Sequence, residues 1–187
     1  FAVEKDPDAF STLKYNLIDR QAGPTYNWPD WLPQKNFRIT TFIKKYREQL
    51  LALRGRVTLV AGGPPCQGFS FAGKREKDDP RNAMFRHFIE VAKMVRPPFL
   101  LLENVKGINS EHEQKEKVKE GKRSPGRPVQ KYSERIKKAL DKIGYRVFVK
   151  PVKAADFGVP QIRTRYFFIA IDKSFDEKLG IADLADD

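Results

Sequence analysis

The feature that most limits the fold of this chain is the run at residues 57–70, Val-Thr-Leu-Val-Ala-Gly-Gly-Pro-Pro-Cys-Gln-Gly-Phe-Ser. Val57, Leu59 and Val60 form a short apolar run bounded by a turn signal. That pattern predicts a central strand in a covered sheet. Gly62 and Gly63 permit a tight bend, and Pro64 and Pro65 then stiffen the chain. The turn presents Cys66, the only cysteine among the 187 residues. A thiol at the carboxyl end of such a strand lies where open α/β sheets bind their ligands. A lone cysteine is also a common small core residue, so Cys66 taken by itself leaves both readings open.

Two further stretches share this form. Phe99-Leu-Leu-Leu-Glu-Asn-Val is a second apolar strand with Glu103 and Asn104 at its carboxyl end. Gly158-Val-Pro-Gln-Ile-Arg-Thr-Arg leads through Gln161, Arg163 and Arg165 into the apolar run that ends at Ile171.

Bulk properties narrow the class. A length of 187 residues suits one domain with a sizeable core, and 40% hydrophobic content excludes a disordered or fibrous chain. No apolar run approaches the ~20 residues that span a bilayer. The opening Phe-Ala-Val-Glu-Lys-Asp-Pro carries charge where a secretory signal would be apolar. A single cysteine excludes an internal disulfide framework and a cysteine-rich zinc site, which fits an intracellular setting. A net charge of +12 points to a polyanionic partner, or to a merely basic soluble protein.

Along the chain, Phe1-Ala-Val-Glu reads as a strand already under way. Asp6-Pro7 caps and starts a helix with Ala9, Phe10, Leu13 and Leu17 on one face. Trp28 and Trp31 lie in a turn-rich loop and read as a hydrophobic lid over the sheet edge. Ile43, Tyr46, Leu50 and Leu53 predict one amphipathic helix. The polar segment after Cys66 reads either as a loop that closes on substrate or as an ordinary surface loop. Phe85, Phe88, Ile89, Ala92 and Val95 predict a helix ended by Arg96-Pro97-Pro98. From position 111 to 138 ten Lys or Arg face five Glu, a net of +5. Residues 111–132 read as a basic insertion, serving either as a phosphate-contacting arm or as a solvated loop. Ile136, Ala139, Leu140 and Ile143 predict a helix closed by Gly144, followed by strands from Tyr145 and from Thr164.

Pro-Pro-Cys-Gln, Glu-Asn-Val and Gln-x-Arg-x-Arg, in this order at three strand ends, resemble the core motifs of the DNA cytosine-5 methyltransferase family. Arg81-Asn-Ala-Met-Phe resembles a further motif, with Met84 where leucine is usual. The resemblance implies a Rossmann-like α/β fold. It is a three-layer sandwich with a mostly parallel sheet and one antiparallel edge strand, here as a single catalytic domain spanning residues 1–187. It implies S-adenosyl-L-methionine as cofactor, bound through Glu4, Pro65, Asn82 and Met84. Catalytic roles fall on Cys66, Glu103, Arg163 and Arg165, and substrate contacts on Gln67, Ser70, Asn104 and Gln161. The implied partner is double-stranded DNA, met as a monomer, without metal or membrane. The family's glycine-rich first motif is expected before residue 1, and its recognition region after Asp187. Lys5 stands where the family has an adenine-stacking aromatic, and Arg38 where it has an aspartate, so the family's two adenine contacts are not matched here.

The chemistry behind those roles is covalent. A thiolate adds to cytosine carbon 6 so that carbon 5 can attack a methyl group, and the base must first leave the helix. Glu103 answers charge at ring nitrogen 3, and the arginines bind the carbonyl oxygen and a phosphate. Two other functions stay open: the same chemistry on transfer RNA, and a truncated non-catalytic nucleic-acid-binding module.

Overall fold

The computed structural model describes residues 1–20, 26–64, 84–109 and 131–180. Cys66, Pro65, Gln67, Ser70 and Asn82 therefore lie outside the described residues, as do most of the 111–132 insertion and the acidic tail from residue 181. The chain divides into two compact units, Phe1–Ala52 and Leu53–Asp187.

The first unit is helical and aromatic. Asp6 caps α1 (Pro7–Lys14) by accepting from the Asp8 and Ala9 amides at 3.0 and 2.9 Å. The helix widens into a π-turn over Tyr15–Asp19. The predicted opening strand is instead irregular: the Glu4 carbonyl accepts from the Phe37 amide at 2.7 Å. One such bond is no ladder, and an extended segment becomes a strand only where successive backbone groups pair. The single helix predicted from Ile43 to Leu53 is two short ones, α2 (Ile39–Lys45) and α3 (Arg47–Ala52). Tyr46 leaves helical geometry at φ −116°, ψ 29°. Its ring packs at 5.4 Å from Phe42 and 5.6 Å from Trp31, and Trp28 meets Phe10 at 5.9 Å. Aromatic packing of this kind prefers tilted and edge-on pairs, and the backbone here bends to reach them.

The second unit is an α/β layer. Its sheet has the order β1-β2-β4-β3, formed by β1 (Leu59–Gly62), β2 (Phe99–Val105), β3 (Tyr145–Lys153) and β4 (Thr164–Asp172). β1 pairs with β2 in parallel, from Leu59 opposite Phe99 to Gly62 opposite Leu102. β4 runs against both β2 and β3. Three of these four strands thus share one direction, in keeping with the mostly parallel sheet expected. The reversed strand is β4, and it lies between β2 and β3 rather than at an edge. The short connection of residues 154–163 dictates this, since a parallel return needs a crossover of a dozen residues or more.

Among the described residues β1 pairs on one side only, with β2, and Leu59 is 48% exposed, unlike the central strand of a covered sheet that the pattern predicts. β2 alternates strictly, burying Leu100, Leu102 and Asn104 on one face. That face meets α4 (Met84–Val95) and α5 (Tyr132–Asp141), whose Phe88, Ile89, Ala92, Ile136 and Leu140 complete the core with Phe168 and Ala170. No helix among the described residues is long and apolar enough to cross a membrane.

One staple holds the helix ends to the sheet. Arg96, at φ 53°, ends α4 and donates to the Ile143 carbonyl. It also pairs with Asp172 at 3.2 Å and stacks over the Tyr145 ring at 5.3 Å. Tyr145 in turn donates to the Pro97 carbonyl at 2.7 Å, and burial pushes its phenol up to about 12. Gly144 sits beneath the guanidinium at φ 91°, where an added Cβ would come within 3.0 Å of Arg96 Nη2. Gly144→Ala therefore incurs both left-handed strain and a displaced arginine. The expected loss is about 1–3 kcal/mol of stability, read as a lower urea midpoint with an unchanged slope. An unchanged midpoint would show that the staple carries no load.

Candidate functional site

The site gathers where β1 and β2 stop pairing. Their ladder ends at Gly62 opposite Leu102, and β2 runs on alone through Glu103, Asn104 and Val105 on its β1 side. Adjacent strand residues face opposite ways. Glu103 therefore leaves the sheet on one face and Asn104 on the other.

β4 brings the arginine. Arg165 is paired with Val105 in register, so its side chain reaches back along β2 to Glu103. Nε lies 2.8 Å from Glu103 Oε1, and Nη1 donates to the Thr164 carbonyl at 2.9 Å. The Arg165 side chain is 21% exposed and that of Glu103 40%, so the pair is open to an incoming molecule. Partial burial makes such a charge-assisted bond stronger than a fully solvated one. The second oxygen, Oε2, faces Gly63, where a Cβ would stand 3.3 Å away. A glycine here lets the backbone approach the carboxylate closely.

Asn104 is placed differently. It is 4% exposed, donates from Nδ2 to the Pro64 carbonyl at 3.2 Å, and accepts the Val105 amide at 2.9 Å. Both ends of its amide are occupied within the protein.

The loop between β3 and β4 is held by its own backbone. Ala154 donates to Arg163, Val159 to Ala154, and Arg163 to Gln161. Gly158 takes the left-handed conformation at φ 79° that closes the short 3-10 turn Ala154–Phe157. Gln161 and Arg163 stand exposed on this loop, and Arg163 makes no ion pair with any other residue among those described. Phe157, Val159 and Ile162 are also turned outward, at 72, 48 and 87% exposure.

In the first unit, Glu4 is half-buried and its Oε1 accepts the Lys5 and Asp6 amides at 2.7 and 2.8 Å. Oε2 takes no bond from the described residues and can accept a hydroxyl. Met84 opens α4 and is half-buried. Trp28 spends its indole N–H on the Leu32 carbonyl at 2.6 Å.

The structure thus joins Glu103 to Arg165 directly and Asn104 to the turn before Cys66. It leaves Arg163 and Gln161 on the adjoining loop. Gly63 and Pro64 stand against these candidates, the first at Glu103 and the second at Asn104, contacts to which the motif reading gave no role. The two glycines before the proline pair were the available signal, but only the register shows which one faces the carboxylate.

The chain was compared with known proteins. The family described as C-5 cytosine-specific DNA methylase matches residues 2–185. The type II methyltransferase M1.HphI of Haemophilus parahaemolyticus is 39% identical over 117 residues, covering 61% of this chain and 27% of that protein. M.AquIA of Picosynechococcus is 35% identical over 173 residues, covering 90% of this chain and 60% of that one. The chain spans between about a quarter and three-fifths of the length of these curated relatives. Among solved structures, a candidate DNA modification methyltransferase encoded within an E. coli prophage aligns with TM-score 0.56 at 28% identity. That alignment covers 94% of this chain and 42% of that protein. The S. pombe Dnmt2 methyltransferase aligns with TM-score 0.56 over 92% of this chain and 41% of its own, and at 20% identity the likeness is one of fold. The Rossmann-like methyltransferase fold implied by the motifs is the fold of these neighbours. With a match that leaves out only three of its residues, the chain belongs to the C-5 cytosine-specific DNA methylase family.

Proposed function

We propose that the intact protein transfers a methyl group from S-adenosyl-L-methionine to carbon 5 of cytosine in duplex DNA. The observation that carries this is the Arg165–Glu103 pair at 2.8 Å, set at adjacent strand ends beside Gly63 and Pro64. A carboxylate and a guanidinium at one open site can address two neighbouring edges of a pyrimidine at once.

In this reading Cys66 adds as thiolate to carbon 6 of a flipped-out cytosine. The added electron density is relieved at ring nitrogen 3, where Glu103 protonates or hydrogen-bonds the ring. Arg165 donates to the carbonyl oxygen at carbon 2 while it holds Glu103 in place, and Arg163, exposed two residues earlier, meets a phosphate. Once carbon 5 carries the methyl group, loss of its proton to water eliminates the Cys66 thiolate from carbon 6 and restores the ring. Gln67, Ser70 and Gln161 are assigned to contacts with the substrate.

S-adenosylmethionine supplies an electrophilic methyl group. Glu4 suits its ribose, because one carboxylate oxygen is fixed by two backbone amides and the other is open. Met84 offers an apolar surface, and Pro65 and Asn82 complete the set. The family's description as a DNA methylase favours DNA over transfer RNA as the acceptor.

Incubating the intact protein with radiolabelled cofactor, duplex DNA and transfer RNA separates the readings. Label is expected in DNA as 5-methylcytosine. Label confined to transfer RNA would move the assignment to that substrate, and binding of either without any label would support the non-catalytic module.

A further inference from the structure

We infer that Asn104 is a positioning residue that clamps the end of β1 beside Glu103, rather than a group that touches the base. This rests on the function proposed above. The argument begins with hydrogen-bond accounting. Parallel pairing of β1 with β2 stops at Gly62 opposite Leu102. Beyond it come Pro64 and Pro65, which have no N–H to extend the ladder. The backbone carbonyls of this turn thus lose their regular partners just where the chain must be held most firmly.

The Asn104 side chain takes over from the ladder. Its Nδ2 donates to the Pro64 carbonyl at 3.2 Å, across 40 positions of sequence. Its Oδ1 accepts the Val105 amide at 2.9 Å, which fixes the orientation of the amide plane. At 4% exposure the group is shielded from water that would compete for either bond. Asn104 also follows Glu103 directly, so one β2 segment both presents the carboxylate and grips the turn. Cys66 is two residues beyond the gripped carbonyl. The residue that meets the base and the residue that carries the thiol are therefore tied through one buried amide.

Asparagine is needed for this because it offers one donor and one acceptor on a short planar group. Aspartate has nearly the same shape and keeps the acceptor for Val105, but it sets a second acceptor against the Pro64 carbonyl. Asn104→Asp is therefore expected to lower the single-turnover methylation rate by up to ~100-fold, since displacements near 1 Å can cost that much. Affinities for duplex DNA and for cofactor should stay at the parent's values. Iodoacetamide alkylation of Cys66, followed on its own peptide by mass spectrometry, should change in rate and in pH midpoint. Asn104→Ser, shorter and uncharged, repeats the test should the aspartate variant not fold. A parent-like rate with a parent-like alkylation profile would overturn the inference. So would a loss confined to DNA affinity, which would return Asn104 to the substrate. Because alkylation needs no turnover, it still reports on the clamp if the parent proves to methylate nothing, and only the functional reading would then fail.

Discussion

Cys66→Ser is expected to abolish methyl transfer by the intact protein while leaving its affinity for duplex DNA unchanged. The substitution replaces sulfur by oxygen at nearly constant shape. A thiol near neutral pH yields an appreciable fraction of thiolate, which is a strong nucleophile and also a good leaving group. An alcohol yields almost no alkoxide in water. Addition at carbon 6 therefore fails, and with it the activation of carbon 5. Binding depends on other groups. Affinity for a polyanion is set largely by Lys and Arg meeting phosphates, and the chain's +12 charge is untouched by the change. If Cys66 were only a packed core residue, the serine would lower the melting temperature and leave turnover per folded molecule intact. Methyl transfer and filter binding on one preparation, corrected for the folded fraction, decide between these outcomes. Substantial turnover by the variant would end the covalent mechanism.

The sequence was most informative where local pattern and topology agree. The periodicity of Phe85 to Val95 gave α4, and the apolar run of Phe99 to Val105 gave β2, because each buries one face against the same core. Gly144 at the end of the α5 segment takes a positive φ, as its position predicts. The sequence was least informative where one bond or one register decides. Nothing in Phe1-Ala-Val-Glu reveals that this segment makes a single backbone bond, to Phe37, rather than a ladder among the described residues. The break at Tyr46 follows from aromatic packing between positions distant in sequence. Asn104 shows the same limit at the site: it stands beside a catalytic candidate, so the motif reads it as a substrate contact, yet strand alternation turns it to the buried face. Phe157, Val159 and Ile162 stand exposed on a loop closed by its own backbone bonds, a placement that no residue pattern in this stretch signals.

Glu103→Gln is expected to slow the chemical step by about 10²–10⁴, the range typical of lost general acid–base assistance, with stability nearly unchanged. Glutamine keeps the length and one carbonyl acceptor for Arg165 Nε, now 2.8 Å from Oε1. It cannot pass a proton to ring nitrogen 3, and its pairing with the guanidinium loses the charge. The stability cost is small because the pair is partly exposed, and exposed ion pairs contribute about 0.2–1 kcal/mol. The core beneath it, Leu100, Leu102 and Phe168, is untouched. A purely structural Glu103, serving only to anchor Arg165, predicts the reverse pattern: a lower melting temperature with a near-parental rate per folded molecule. Arg165→Lys distinguishes the two further. Lysine keeps a positive charge near Glu103 but lacks the planar fork needed to face the carboxylate and the base together. If the pair acts as a unit, the double variant should lose little more than the worse single variant, as coupled residues do. Single-turnover methylation and thermal unfolding of the four proteins measure this directly. Rate losses that simply multiply would separate Arg165 from Glu103 in the mechanism, and a near-normal rate for Glu103→Gln would remove the carboxylate from it.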